Sequence, residues 1–173
     1  MTNRWFFGTI LFMKYEEFYE KISKPYRSHP EYLQNADIFL ALLFYISYPL
    51  LLIYIWMSCR NKIIIYIVLP ALFFLLCTVI RKKLNFPRPY EKYGISPIIH
   101  KNTKGKSFPS RHVFSATLIA MTVLSIVPVP GCILYIFSVI EAYIRVAGGV
   151  HTPKDVLAAF VSGSILGACF FFL

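Results

Sequence analysis

Between Val113 and Ile140 the chain runs without a charged residue, broken only by Pro128-Val129-Pro130-Gly131. A helix with no polar face has no side to show to water, so such a run belongs in a bilayer. Three further stretches are as apolar: Ile38 to Met57, Ile63 to Ile80 and Val156 to Leu173. Each is close to the roughly 20 residues that cross about 30 Å of hydrocarbon at 1.5 Å per residue. The Pro-Val-Pro-Gly segment reads as a tight turn between two helices. About five spans follow, in an all-α, polytopic transmembrane helix bundle. The hydrophobic fraction of 57% agrees, because ordinary soluble domains stay near 45–50%.

Residues 1–36 differ in kind from residues 37–173, which form the expected transmembrane core. An apolar patch from Trp5 to Met13 is followed by Lys14, Glu16, Glu17, Glu20 and Lys21, a charge density no lipid-facing span carries. An interfacial amphipathic helix fits this pattern, and without a small-residue cleavage site it reads as retained rather than as a leader. Cys59, Cys77, Cys132 and Cys169 lie in or beside the spans, at spacings that suit packing better than a disulfide framework or a zinc site.

The net charge of +10 is not spread as a nucleic-acid binder would spread it. Half of the basic residues fall between Arg81 and Arg111, with Glu91 the only acid among them. A loop that attracts anionic headgroups accounts for the charge but not for the histidines near it. Ionisable residues in or beside spans default to function, which singles out His112, Glu141, Arg145, His151 and Asp155. With spans alternating in direction, Arg81, Arg88, His112, Arg145, His151 and Asp155 all reach one membrane face.

Each segment there carries a recognisable piece of phosphate chemistry. In Arg145-Val-Ala-Gly-Gly-Val-His151-Thr152-Pro153-Lys154-Asp155 two glycines let the backbone turn, Thr152 caps a helix and Pro153 opens it. Asp155, in the first turn, is placed to accept a hydrogen bond from His151, leaving the other ring nitrogen free to attack. In Phe108-Pro109-Ser110-Arg111-His112 a loop enters a helix with Ser110 at the N-cap, and a helix start suits a phosphate. His112 beside it would supply the proton a leaving group needs. Arg81, Arg88 and Arg145 would pair with phosphate oxygens through their planar forks. Of the Lys82-Lys83 pair, Lys82 is the expected phosphate contact, and Glu141, four residues before Arg145, is placed to hold its guanidinium.

These three segments resemble the signature of the type 2 phosphatidic acid phosphatase family, the lipid phosphate phosphatases. That signature is Lys-x(6)-Arg-Pro, Pro-Ser-Gly-His and Ser-Arg-x(5)-His-x(3)-Asp; this chain has Arg81-x(6)-Arg88-Pro89, Pro109-Ser110-Arg111-His112 and Ile144-Arg145-x(5)-His151-x(3)-Asp155. The resemblance implies that His151 is the nucleophile, Asp155 its orienting partner and His112 the general acid. It also implies phosphate binding by Arg81, Arg88, Ser110 and Arg145, with the backbone N–H of Arg111 contributing. Arg81 in place of Lys keeps the charge, Ile144 in place of Ser loses a hydroxyl, and Arg111 in place of Gly adds bulk and charge. The signature segments are 81–89, 109–112 and 144–155, and the family's usual core has six spans against the five read here.

The expected function is hydrolysis of a lipid phosphate or pyrophosphate through a phosphohistidine, without metal or other cofactor. Undecaprenyl pyrophosphate, phosphatidylglycerol phosphate and phosphatidic acid are all candidates, and the partners are the lipid substrate and the bilayer. The competing reading is a catalytically silent carrier of anionic lipids, which needs the positive charge but not His112, His151 and Asp155. Two histidines and one nearby acid, with no zinc-spaced helical pair, disfavour a metal-dependent hydrolase. Orientation is contested: positive-inside bias would put the basic face in the cytoplasm, since the opposite face shows only Arg60 and Lys62. The resemblance implies a site on the outer face of the cell membrane, and charges kept for phosphate binding are poor topology signals.

Overall fold

The computed structural model describes residues 14–173. Among them every regular element is helical: α1 (Tyr15–Ser23), α2 (Pro30–Ser58), α3 (Ile63–Leu84), α4 (Pro89–Lys92), α5 (Arg111–Leu124), α6 (Pro128–Ala147) and α7 (Pro153–Gly167), with short 3-10 turns between and after them. Four helical segments are long and apolar enough to cross a membrane: Pro30–Ser58, Arg60–Lys92, Pro128–Ala147 and Pro153–Phe172. The fifth, α5, has 14 residues and is about 21 Å long at 1.5 Å per residue, short of a full hydrocarbon crossing. The described residues thus form an all-α, multi-pass membrane bundle of five core helices, one of them shorter than a full span.

The short helix is the centre of the bundle. α5 packs against α2, α3, α6 and α7, and Val113, Phe114, Ala116, Leu118, Ala120 and Val123 are buried along it. Its neighbours meet the lipid instead. On α2 and α3 large apolar side chains such as Phe39, Tyr45, Met57, Ile64 and Leu75 are exposed, as expected where hydrocarbon is the solvent.

The reversal between α5 and α6 does not fall on Pro128-Val129-Pro130-Gly131 as the sequence suggests. It falls at Ser125 to Val127, and Pro128 opens α6. Proline fits there because the first N–H groups of a helix have no partner within it, so their loss is free. Gly131 lets α6 fold back closely: a Cβ at that position would stand 2.2 Å from the Leu124 Cα.

The apolar patch Trp5 to Met13 lies outside the described residues. α1, which follows it, docks on the end of the bundle that carries the basic loop: Tyr19 is buried and donates to the Ser96 carbonyl at 3.0 Å, and Tyr15 stacks on Tyr93 with centroids 4.3 Å apart. Glu16, Glu17 and Glu20 stay exposed. α2 starts at Pro30, so a boundary drawn after residue 36 falls inside one continuous helix. Of the cysteines, Cys77 is buried as a packing residue, whereas Cys59 and Cys132 are exposed.

Candidate active site

Helix ends bring the predicted residues together. Arg81 closes α3, Arg88 precedes α4, Ser110 and His112 open α5, Arg145 closes α6 and Asp155 opens α7. The loop from α6 to α7 turns at Gly149, whose φ of +76° is open to few residues other than glycine. A Cβ there would also stand 2.8 Å from the Tyr19 hydroxyl oxygen, so α1 lies directly against the turn that presents His151. Thr152 caps α7 as expected, its hydroxyl accepting from the Asp155 N–H at 3.3 Å, and Asp155 Oδ2 accepts the Thr152 N–H at 2.9 Å.

His151 is 2% exposed, and its Nδ1 lies 3.6 Å from Asp155 Oδ2, longer than a direct hydrogen bond. Ser107 fills the gap. Its hydroxyl donates to Asp155 Oδ2 at 2.6 Å and lies 3.4 Å from His151 Nδ1. A serine hydroxyl has one proton, and Asp155 takes it, so the Nδ1 side of the contact must be the donor. That fixes the Nδ1–H tautomer and leaves the lone pair on Nε2, the form a nucleophilic histidine requires. Burial, aided by the Arg88 and Arg145 charges, outweighs the Asp155 carboxylate and holds the imidazole pKa down at about 4. At neutral pH the ring is uncharged.

The arginines are held differently from one another. Arg145 is fully buried; its Nε donates to Glu141 Oε1 at 2.9 Å and its Nη1 lies 3.0 Å from Asp37 Oδ1 of α2. Its Nη2 has no hydrogen-bond partner among the described residues. Arg88 donates from Nε to the Gly105 carbonyl at 3.2 Å and from Nη1 to the Val150 carbonyl at 3.4 Å. Arg81 donates to the carbonyls of Lys106, Ser107 and Pro109, so three of its bonds go to the loop that carries Ser107 and Ser110. Ser110 sits at the N-cap of α5 without capping it; its Oγ is buried and has no hydrogen-bond partner among the described residues, while its N–H donates to the Asp155 carbonyl at 3.0 Å.

Lys82 is exposed. The Arg111 side chain, also exposed, stands over the Phe74 ring at 5.7 Å, while its backbone N–H, the expected phosphate contact, lies in the first turn of α5 beside Ser110. Arg111 and His112 border a cavity of about 570 Å³ between α2, α3 and α5, otherwise lined mainly by apolar residues such as Phe44, Tyr48, Pro70 and Ile119, with Glu141 at its edge. Ile144, which stands where the family signature has serine, is buried with Leu33, Leu40, Ile98, Ile99, Ala147 and Val150. The missing hydroxyl is thus replaced by packing beneath the site.

Sequence reasoning missed Ser107 and Asp37. Asp37 had a signal, being an acid at the mouth of the apolar run that begins at Ile38. Ser107 had none, since nothing in its spacing distinguishes it from other polar residues of the basic loop.

A buried imidazole set among guanidinium groups at one end of a membrane bundle is the arrangement expected of a membrane phosphatase. Residues 62–173 match the family model of the PAP2 superfamily, and the chain belongs to that family; it is a phosphoric-ester hydrolase of the lipid phosphatase type. It is 28% identical over 147 residues to the undecaprenyl-diphosphatase BcrC of Bacillus subtilis (strain 168), covering 83% of this chain and 76% of that protein. Among solved structures it resembles LpxE of Aquifex aeolicus, with a TM-score of 0.70, 26% identity, and coverage of 91% of this chain and 94% of that one. The fold is shared with a phosphatidylglycerolphosphate phosphatase of Bacillus subtilis, with a TM-score of 0.62, 21% identity, and coverage of 94% and 88%.

Proposed function

We propose that the protein hydrolyses a lipid phosphate or diphosphate through a phosphohistidine on His151, without a metal ion. The observation that carries this reading is that Ser110 Oγ and Arg145 Nη2, on the helix ends that flank His151, are buried and have no hydrogen-bond partner among the described residues. Leaving such groups unsatisfied costs about 1–3 kcal/mol each, and phosphate oxygens would satisfy both. The first N–H groups of α5 add donors at the same place.

In the first step His151 Nε2 attacks phosphorus, and the bond from phosphorus to the leaving oxygen breaks. The negative charge of the bound phosphate favours the protonated form of His112, which gives its proton to that oxygen. Neutral His112 then takes a proton from water, whose oxygen attacks the phosphohistidine. The P–N bond breaks, its electron pair returns to Nε2, and inorganic phosphate leaves. Arg145, Arg88 and the α5 N-terminus stabilise the charge on the equatorial oxygens, and Arg81 shapes the loop that supplies Ser107 and Ser110. The apolar cavity beside His112 suits the first part of an acyl or prenyl tail. Undecaprenyl pyrophosphate, phosphatidylglycerol phosphate and phosphatidic acid remain the candidate lipids.

The site is proposed to face outward across the cell membrane. Arg81, Arg88 and Arg145 are buried and bonded within the protein, so they are poor counters for positive-inside bias.

The test is phosphate release by detergent-purified protein from each candidate lipid in excess EDTA, comparing wild type with His151→Ala. Turnover that survives EDTA and is lost in the variant supports the reading. No turnover on any lipid, or equal turnover in the variant, overturns it in favour of an anionic-lipid carrier.

A further inference from the structure

We infer that the Arg111 side chain binds the phosphate that departs with the lipid, which makes Arg111 a residue that favours a lipid diphosphate over a monophosphate. The inference rests on the phosphatase reading above and deepens it.

Arg111 is the first residue of α5, directly after Ser110 at the N-cap and directly before His112. Its backbone N–H belongs to the helix start that receives the phosphate under attack, but its side chain goes elsewhere. The guanidinium carbon lies 5.7 Å from the centre of the Phe74 ring on α3, within the range of a cation–π contact. Arg111, Phe74 and His112 all border the cavity of about 570 Å³ between α2, α3 and α5. Arg111 stands exposed at the end of that cavity where α5 begins. Its side chain is therefore placed where the apolar cavity meets the phosphate site.

Among the described residues that line the cavity, Arg111 alone carries a permanent positive charge. An aromatic ring steadies a guanidinium without supplying oxygen acceptors, so its N–H donors stay available. Among the described residues its side chain makes no hydrogen bond or ion pair. Glu141 borders the same cavity but does not neutralise it: Glu141 Oε1 is bonded to Arg145 Nε at 2.9 Å, and Oε2 has no hydrogen-bond partner among the described residues, Arg111 included. The family signature has glycine at this place, so the side chain is an addition to a site that already has donors for one phosphate in Ser110, Arg88, Arg145 and the start of α5.

The second phosphate of a diphosphate lies on the side of the leaving group, between the phosphate under attack and the tail. That is the side of His112 and of the cavity. When His151 Nε2 attacks the terminal phosphorus, the bridging P–O bond breaks and its electron pair goes to the oxygen that leaves with the lipid phosphate. His112 gives that oxygen a proton, and Arg111 offsets the charge on the other oxygens of the departing phosphate. A monophosphate leaves as an alcohol, with no such charge for Arg111 to meet.

The experiment measures kcat/KM of the full chain in detergent on a polyprenyl diphosphate and on the monophosphate of the same chain length, for wild type, Arg111→Gln and Arg111→Lys. The readout is the ratio of the two values on one preparation, which does not depend on the fraction of protein that is folded. One charge-assisted contact is worth about tenfold or more, so Arg111→Gln is expected to lower the ratio of diphosphate to monophosphate by that factor. Arg111→Lys keeps the charge without the planar fork and recovers part of it. The alternative is a cation that only attracts bulk anionic headgroups. It predicts equal losses on both lipids in Arg111→Gln, and losses that change when phosphatidylglycerol is added to the micelles. That result, or an unchanged ratio, overturns the inference and leaves the phosphatase reading standing, whereas a wild type that turns over neither lipid sinks both.

Discussion

Asp37 Oδ1, near the start of the first spanning helix, lies 3.0 Å from Arg145 Nη1 at the end of α6. With Glu141 Oε1 at 2.9 Å from Arg145 Nε, two carboxylates fix one buried guanidinium and leave Nη2 without a hydrogen-bond partner among the described residues. The pair also ties α2 to the catalytic end of the bundle across 108 residues of sequence.

Asp37→Asn keeps the shape but removes the charge that holds Arg145. Truncating one member of a buried ion pair costs about 3–5 kcal/mol, and the amide, which can still bond, should stay toward the low end. The expected result is a lower melting temperature in detergent and a higher KM, with Asp37→Ala worse on both. Thermal unfolding and steady-state kinetics check this; an unchanged KM in both variants would show that Arg145 needs no partner on α2.

Ser107 links His151 Nδ1 to Asp155 Oδ2, at 3.4 Å and 2.6 Å. Removing its hydroxyl should cost about 1–3 kcal/mol of positioning, roughly 10- to 100-fold in kcat, with KM little changed. Ser107→Thr, which keeps the hydroxyl, should recover more activity than Ser107→Ala. Kinetics on the three proteins decides this.

The pH profile follows from the same imidazole. His151 is nucleophilic only when neutral, so activity falls as pH drops through its pKa, held down at about 4 in the free protein. The acid limb of kcat/KM governed by His151 should therefore lie well below the 6.5 of an ordinary histidine. Asp155→Asn removes the group that opposes this depression, so the limb should move lower still as the rate falls. A limb for His151 near 6.5 would contradict the burial described here.

Gly149→Ala puts a methyl group at a φ of +76° and within 2.8 Å of the Tyr19 hydroxyl oxygen. The backbone penalty alone is about 1–2 kcal/mol, and the contact adds to it. The variant should lose stability and activity together, because the turn presents His151. Tyr19→Phe with Gly149→Ala should recover little, since the Tyr19 ring carbons also lie 2.9–3.0 Å from the new Cβ.

What could be read from the sequence was whatever local spacing dictates. The uncharged runs marked the core helices, the Thr152-Pro153 start located α7, and the interval of four placed Glu141 on Arg145. The signature segments named the residues that the helix ends bring together. What escaped depends on contacts between distant segments: Asp37 meets Arg145 only after α2 packs beside α6, and Ser107 reaches Asp155 from a loop whose carbonyls Arg81 binds. The turn before α6 was misplaced because proline reads locally as a breaker, whereas at a helix start it is a favoured residue.

The most direct test of the central claim is to find the phosphoryl group on the protein. Purified chain turning over a lipid diphosphate labelled in its terminal phosphate would be quenched in alkali, where phosphohistidine survives, and its peptides searched for label. The expected result is label on His151 in the wild type and none in His151→Ala. Phosphate release by the wild type with no label at any quench time, or label that persists in His151→Ala, would contradict a covalent role for His151.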